Sequence, residues 1–207
     1  MAERMSEEPK ATLGILGSGR GSNFAAIRDA IASGRLSASI AVVISDREDA
    51  RILELARQAN IPTVVLRRGK FRTRLEPDIE EELAECLRRF RVDLVILAGF
   101  LRVLKGPLLA AYAGRILNIH PSLLPAFKGK DAWKQALAAG VAEAGCTVHW
   151  VEAEVDSGPI LGQARVPVLP GDTPESLHAR IQEAEHRLYP EVIQQVIDRK
   201  LWQQIHS

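Results

Sequence analysis

The feature that most constrains this chain is the alternation of short β-rich runs with amphipathic helical patterns. The runs predict strands at residues 12–16, 40–44, 63–66, 93–98 and 116–120, and the stretches between them predict helices at 23–32, 50–59 and 78–90. The early strands are nearly continuous in Val, Ile and Leu, which is typical of a parallel sheet covered on both faces. The sequence therefore predicts an α/β fold with a doubly wound, mostly parallel sheet.

The last third of the chain has a different pattern. Two strands are predicted close together, at 146–151 and 160–168, with turn residues at 156–159 between them, so we expect an antiparallel excursion at the end of the sheet. Thr173 and Pro174 then predict the start of a long helix, as N-cap and first helical residue. We expect a single domain over residues 11–207, preceded by a disordered extension at 1–10.

Composition argues against several classes of protein. The formal net charge of the 207 residues is +1, so no bulk field attracts nucleic acid or an anionic membrane. No run approaches the roughly 18 apolar residues that span a bilayer. Cys86 and Cys146 have no CxxC or zinc-type spacing, and we expect both to be reduced core residues of a cytoplasmic protein without a metal. The sequence leaves a monomer and a homodimer open.

In such sheets ligands bind beyond the carboxyl ends of the strands, which directs attention to the loops after Leu16, Ala98 and His120. The first loop reads GSGRGSN over residues 17–23 and opens a helix, whose terminal amides attract phosphate. No Walker lysine follows, and the third glycine of a dinucleotide fingerprint is absent. A phosphomonoester site is therefore favoured. A glycine turn without a ligand, and a dinucleotide site with Asp46 as ribose-binding acid, stay open.

The fifth predicted strand carries Asn118 and His120 on one face, and Pro121 ends it. An amide beside an imidazole can stabilise an oxyanion and move a proton. Asp156, in the later turn, can hold that imidazole in its charged form. The alternatives are a histidine bonded to a backbone carbonyl and an aspartate that only makes a turn. His149 is predicted to be a packed or hydrogen-bonded core residue, and a His/His/Asp metal site lacks local spacing.

Together these segments resemble the folate-dependent formyltransferases, in the branch of the phosphoribosylglycinamide formyltransferases. The matching segments, in the family's order, are GSGRGSNF (17–24), LAGFLRVL (97–104), NIHPSLLP (118–125), TVHWV (147–151), VDSGPIL (155–161) and AEHRLYP (184–190). The resemblance implies a Rossmann-like formyltransferase fold that transfers a formyl group from 10-formyltetrahydrofolate to glycinamide ribonucleotide. One departure, Lys128 where relatives often carry Pro, leaves the conformation of residues 126–131 open.

The resemblance also implies residue roles. Catalysis falls to Asn118, His120 and Asp156, and binding of the ribonucleotide to Gly21, Ser22 and Asn23 at its 5′-phosphate and to Glu185. The folate pterin would lie between Leu101, Arg102, Val103 and Leu104 on one side and the 151–156 stretch, with Val151 and Val155, on the other. Arg74, with Arg72 as its rival, would meet the benzoylglutamate. The alternatives are a plain core role for Leu101, Val103 and Leu104, and a solvated helix position for Glu185.

Three rival functions follow from the same residues. A formyltetrahydrofolate hydrolase or a methionyl-tRNA formyltransferase should carry a further domain, for which 207 residues leave little room. A nucleotide-binding dehydrogenase would need the missing third glycine. A non-catalytic phosphosugar-binding module would explain the glycine loop but leave Asn118, His120 and Asp156 without a role.

Overall fold

The computed structural model describes residues 11–201, so the predicted extension at 1–10 lies outside the described residues. The strands are β1 (Ala11–Leu16), β2 (Ala38–Ser45), β3 (Thr63–Val65), β4 (Leu94–Leu97), β5 (Ile116–His120), β6 (Glu143–Trp150) and β7 (Ile160–Pro167). The helices are α1 (Ser22–Ala32), α2 (Arg51–Gln58), α3 (Pro77–Arg89), α4 (Pro107–Ala111), α5 (Ala132–Ala138) and α6 (Pro174–Asp198).

The strands form one seven-stranded sheet in the order β3-β2-β1-β4-β5-β6-β7. Neighbouring strands run parallel from β3 to β5, whereas β6 is antiparallel to β5 and β7 is antiparallel to β6. The chain order reverses between β1 and β4, which is the topological switch point of the sheet. The predicted doubly wound sheet with a late antiparallel excursion is confirmed.

Helices cover both faces of the sheet, as the continuous apolar strands require. One face packs against α1, α2 and α6 through residues such as Phe24, Ile52 and Ile181, all of which are inaccessible to solvent. The other face packs against α3 and α4, for example through Leu83 and Leu108. Because helices pack on both faces, the strands are held rigidly. The first residues of the loops at their carboxyl ends therefore have fixed positions.

Tyr189 fixes α6 to the centre of that edge. Its buried hydroxyl lies 3.0 Å from the carbonyl oxygens of both Leu97, at the end of β4, and Leu117 in β5. A hydroxyl buried among apolar side chains needs such partners to offset its lost hydration. Because Glu185 lies one helical turn before Tyr189, this contact also sets the position of Glu185.

Most predicted boundaries agree with the structure to within three residues, and Thr173 caps α6 in a reciprocal capping box with Ser176. Two helices were not predicted, α4 and α5, because five and seven residues are too few to show a helical period. Between residues 11 and 201 no helix is long and apolar enough to cross a membrane.

Candidate active site

The candidate site lies at the carboxyl edge beside the switch point. Leu16 of β1 is paired with Leu97 of β4, and Leu97 is paired with Asn118 of β5, so these strands end at the same level. The loops that follow them therefore emerge side by side. The sequence directed attention to the loops after Leu16, Ala98 and His120. The register of the sheet brings these three loops together.

The glycine loop ends at Gly21, which forms the N-cap of α1 in the left-handed conformation (φ 77°). A Cβ on Gly21 would lie 2.9 Å from the Cα of Ile52, so a larger residue would meet both backbone strain and a clash. No side chain caps this helix end, and its first turn contains no acidic residue. The amides around Gly21, Ser22 and Asn23 can therefore receive an anion, which the positive end of the helix dipole favours.

Asn23 and Glu185 form a buried pair at the start of α1. The Asn23 Nδ2 donates to Glu185 Oε2 at 2.9 Å, while Asn23 Oδ1 has no hydrogen-bond partner within residues 11–201. Glu185 is only 4% exposed, so the alternative of a solvated helix position is wrong. Burial raises the pKa of Glu185 to about 7, and the hydrogen bond from Asn23 opposes this shift only in part. A carboxyl group that is readily protonated near neutrality can both donate and accept hydrogen bonds.

Asn118 faces His149, its direct partner in the antiparallel β5–β6 pair. The Nδ1 of His149 lies 2.7 Å from the carbonyl oxygen of Trp150, which can only accept, so Nδ1 carries the proton. The unprotonated Nε2 then accepts from Asn118 Nδ2 at 3.1 Å. Burial lowers the pKa of His149 and so favours this neutral form. The second N–H of the Asn118 amide is left free to point at a ligand.

His120 lies between two acceptors. Its Nδ1 is 3.3 Å from Asp156 Oδ2, and its Nε2 donates to the carbonyl oxygen of Phe127 at 2.9 Å. Both ring nitrogens of His120 therefore face acceptors, which fixes the orientation of the ring. Asp156 also accepts from the backbone N–H of Gly129 at 2.9 Å. The aspartate and the loop at 126–131 together hold the imidazole in one orientation.

The segment after β4 presents one apolar side chain to solvent. Leu101 is 70% exposed, whereas Leu104 is buried in the core beside α4, which fits the plain core role. Val103 is half-buried and its N–H donates to the carbonyl of Thr73. The guanidinium of Arg102 turns to Asp46, with Nε 2.6 Å from Oδ2. Only part of the predicted pterin wall is therefore available through side chains.

The opposite predicted wall follows β6. Val155 is 45% exposed and Val151 is half-buried, with its N–H bonded to the carbonyl of Ile116. Arg74 is exposed, stacks on the ring of Phe71 at 4.0 Å and forms an isolated parallel bridge with Val103. Arg72 is also exposed but has no such connection to the segment after β4 among the contacts of residues 11–201.

The two cysteines are free, and burial raises the pKa of the Cys146 thiol to about 12. Within the described residues, no three His, Cys, Asp or Glu side chains are grouped so that they could hold a metal ion. The sequence did not predict the hydrogen bonds of Ser18 with Asp46 and Leu101, or that of His149 with Asn118. The alternation of β6 could have pointed to His149, but only once its register against β5 was known.

An amide donor, an imidazole and a carboxylate meet here beside a helix end suited to phosphate, on a doubly wound sheet. Fold and geometry are those of an enzyme that transfers an acyl-type group. The chain belongs to the formyl transferase family, whose model matches residues 12–193.

Individual relatives agree with this membership. Phosphoribosylglycinamide formyltransferase of Haemophilus influenzae is 43% identical over 91% of this chain and 88% of its own length. Trifunctional purine biosynthetic protein adenosine-3 of Homo sapiens is 44% identical over 92% of this chain, but the chain spans only 19% of that protein. The crystal structure of glycinamide ribonucleotide transformylase 1 from Symbiobacterium toebii superposes with a TM-score of 0.88 at 48% identity, over 94% of this chain and 93% of the other.

Proposed function

We propose that this chain transfers the formyl group of 10-formyltetrahydrofolate to the amine of glycinamide ribonucleotide, a step of purine synthesis in the cytoplasm. The observation that carries the proposal is the meeting of Asn118, His120 and Asp156 beside the open N-terminus of α1. The names of the relatives matched over nearly their full length support the same reaction.

The ribonucleotide's 5′-phosphate binds at the amides of Gly21, Ser22 and Asn23. The uncapped helix end supports this because it offers several donors and a favourable dipole to a doubly charged group. Glu185, which accepts a hydrogen bond from Asn23, also contacts the ribonucleotide. Holding the phosphate and ribose fixes the amine near Asn118, which turns binding energy into proximity of the reacting atoms.

Formylfolate lies, in this proposal, between the two segments that carry the exposed side chains of Leu101 and Val155. Leu101 is 70% exposed and Val155 is 45% exposed, so both side chains are accessible to a ligand. The bridge between Arg74 and Val103 supports Arg74 over Arg72 as the contact of the benzoylglutamate. Arg74 is held next to the segment 101–104, and its side chain remains accessible to a ligand.

The cosubstrate supplies a formyl carbon that is already activated. The substrate amine adds to this carbon, the carbonyl oxygen becomes an oxyanion, and the bond to the folate nitrogen then breaks. The amine loses one proton and the departing nitrogen gains one, so the step balances without a redox partner. What remains for the protein is to stabilise the oxyanion and to move this proton.

Asn118 and His120 perform these two tasks. The free N–H of Asn118 donates to the oxyanion, since His149 occupies the other one. The imidazolium of His120 also donates, because an oxyanion is a stronger acceptor than the neutral carbonyl of Phe127. Asp156 keeps His120 charged and oriented throughout the reaction.

A formyl-transfer assay with three acceptors tests the proposal. Glycinamide ribonucleotide, water and methionyl-tRNA are offered in parallel with the same formylfolate, and His120→Ala serves as the inactive control. We expect rapid transfer to the ribonucleotide only. Faster release of formate than of formylated ribonucleotide would favour the hydrolase, and formyl-methionyl-tRNA as the main product would favour the tRNA enzyme.

A further inference from the structure

Asp46, the first residue after β2, lies in a hydrogen-bonded cluster that no step above uses. Its side chain is only 6% exposed, and both carboxylate oxygens are engaged. Oδ1 accepts from the hydroxyl of Ser18 at 2.5 Å, and Oδ2 accepts from Nε of Arg102 at 2.6 Å. A carboxylate held in this way is not free for a ribose, so the dinucleotide alternative loses its acidic residue.

The cluster joins the two halves of the proposed active site. Ser18 lies in the glycine loop, and its hydroxyl also accepts from the N–H of Leu101 at 2.9 Å. Arg102 continues the chain of contacts, because its Nη1 donates to the carbonyl of Phe71. One buried carboxylate therefore connects the phosphate loop, the segment 101–104 with its exposed Leu101, and the segment that carries Arg74.

The wall needs such support because it has no regular structure of its own. Residues 99–106 lie between β4 and α4. The carbonyl of Gly99 accepts from the N–H of Ser18, Val103 forms an isolated bridge, and the N–H groups of Lys105 and Gly106 donate to Glu80, so the stretch around Leu101 and Arg102 depends on the Asp46 cluster. Leu101 is 70% exposed, so apolar packing does not fix its position. Side-chain hydrogen bonds to a nearly buried ion pair are specific in direction and hold this backbone in place.

We propose that Asp46 is a positioning residue: through Ser18 and Arg102 it sets the distance between the phosphate loop and the folate wall, so that formyl carbon and amine meet. This inference rests on the proposed function. Asp46 touches neither ligand, and its effect on the reaction runs through the backbone of residues 101–104. A change of about 1 Å in the distance between the phosphate loop and the folate wall is enough to lower the rate of a two-substrate reaction.

The test is a comparison of Asp46→Asn with Asp49→Asn. Asp49 belongs to the same loop and is also paired with an arginine, Arg47, but that pair is exposed. Asp46→Asn should raise KM for formylfolate about tenfold, the cost of one hydrogen bond to a charged group. KM for the ribonucleotide should change less than threefold, and Asp49→Asn should match the parent.

A double variant, Asp46→Asn with Arg102→Gln, separates positioning from stability. Asp46→Asn alone leaves the nearly buried Arg102 without its charged partner and should lower Tm. The double variant removes the unpaired charge of Arg102 and should therefore recover part of the lost Tm. If Asp46 acts as a positioning residue, KM for formylfolate stays raised in the double variant and is higher than in Arg102→Gln alone, which is the control for changing a residue of the wall. The double variant also provides the comparison if the single variant folds poorly.

Two results would overturn the inference. In one, Asp46→Asn and the double variant both keep the parent's KM for formylfolate within twofold. In the other, KM recovers together with Tm in the double variant, which would make the ion pair merely structural. A parent that formylates no ribonucleotide would contradict the proposed function instead, and the two failures are therefore distinguishable.

Discussion

Asn118 and His149 face each other across the β5–β6 pair, with the amide nitrogen of Asn118 3.1 Å from Nε2 of His149. The carbonyl of Trp150 requires the proton on Nδ1, so His149 is the acceptor of this bond. The amide of Asn118 is thereby oriented: one N–H is taken by His149 and the other is available. The histidine that the sequence predicted as a core residue is indeed buried, and it also sets which atom of Asn118 faces the substrate.

His149→Phe keeps the volume of the side chain but removes the acceptor. We expect kcat to fall about tenfold or more, because Asn118 loses a buried hydrogen bond of about 1–2 kcal/mol that fixes its rotamer. His149→Gln, which can still accept, should recover part of the loss. Steady-state kinetics on both variants, with Tm as a check of folding, measure this. Equal kcat in the parent and His149→Phe would show that Asn118 does not depend on His149.

The pH dependence of kcat is an independent test of the hydrogen bond between Asn118 and His149. Burial lowers the pKa of His149 below the usual 6.5, and the protonated ring cannot accept from Asn118. The parent's kcat should therefore show an acid limb due to His149 that lies below the pH at which an ordinary histidine becomes charged. This acid limb should be absent from the remaining activity of His149→Phe, and an unchanged limb in that variant would assign it to another group.

Asn118→Ala and His120→Ala should each be folded and nearly inactive. Loss of one oxyanion donor costs roughly 10²–10³ in turnover. The measurement is kcat with saturating substrates, beside circular dichroism to confirm the fold. Turnover within about threefold of the parent in either variant would remove that residue from the proposed mechanism.

How much of this site the sequence predicts depends on the range of the interactions. The glycine loop and the Asn118–His120 spacing are local patterns, and the rule that ligands bind at carboxyl ends locates both. The doubly wound sheet follows from the period of the apolar residues, which is also local. The sequence therefore predicts these features.

Contacts between distant segments were not accessible in this way. His149 meets Asn118 only through the register of β5 against β6, and a shift of one residue would turn His149 to the other face. Asp46 meets Ser18 and Arg102 across 28 and 56 residues of sequence. The periodicity of the sequence does not predict such pairs. From the sequence, Asp46 could therefore be interpreted as a ribose-binding acid, whereas in the structure its two oxygens accept hydrogen bonds from Ser18 and Arg102.

Asn23→Leu tests the phosphate loop. It removes Nδ2, which donates one N–H to Glu185 and has a second N–H for the phosphate, but leaves the backbone amides of α1. The affinity for glycinamide ribonucleotide should therefore fall by about 1.5–3 kcal/mol. Folate affinity should barely change, because the cosubstrate is expected across the site from this loop. Calorimetry with each ligand separately decides the question. Equal losses for both ligands would give the loop a structural role, and tight binding of NAD or NADP by the parent would favour the dehydrogenase.

Glu185→Gln tests the buried carboxyl group through stability. Burial raises the pKa of Glu185 from 4.5 to about 7, so the folded state holds a proton that the unfolded chain releases near pH 4.5. The stabilising contribution of this group is complete below pH 4.5, declines as pH rises towards 7 and is then constant. Relative to Glu185→Gln, the parent's free energy of unfolding should therefore fall by roughly 3 kcal/mol across this window.

Urea unfolding of the parent and Glu185→Gln at several pH values between 4 and 8 measures the difference, in which other titrating groups cancel. Glu183→Gln, at an exposed position of the same helix, is the matched control for losing one carboxylate. Asn23 remains as a donor in all three proteins and can still bond the introduced amide oxygen. Parallel curves for the parent and Glu185→Gln would mean that Glu185 is ionised throughout and that burial does not control its charge.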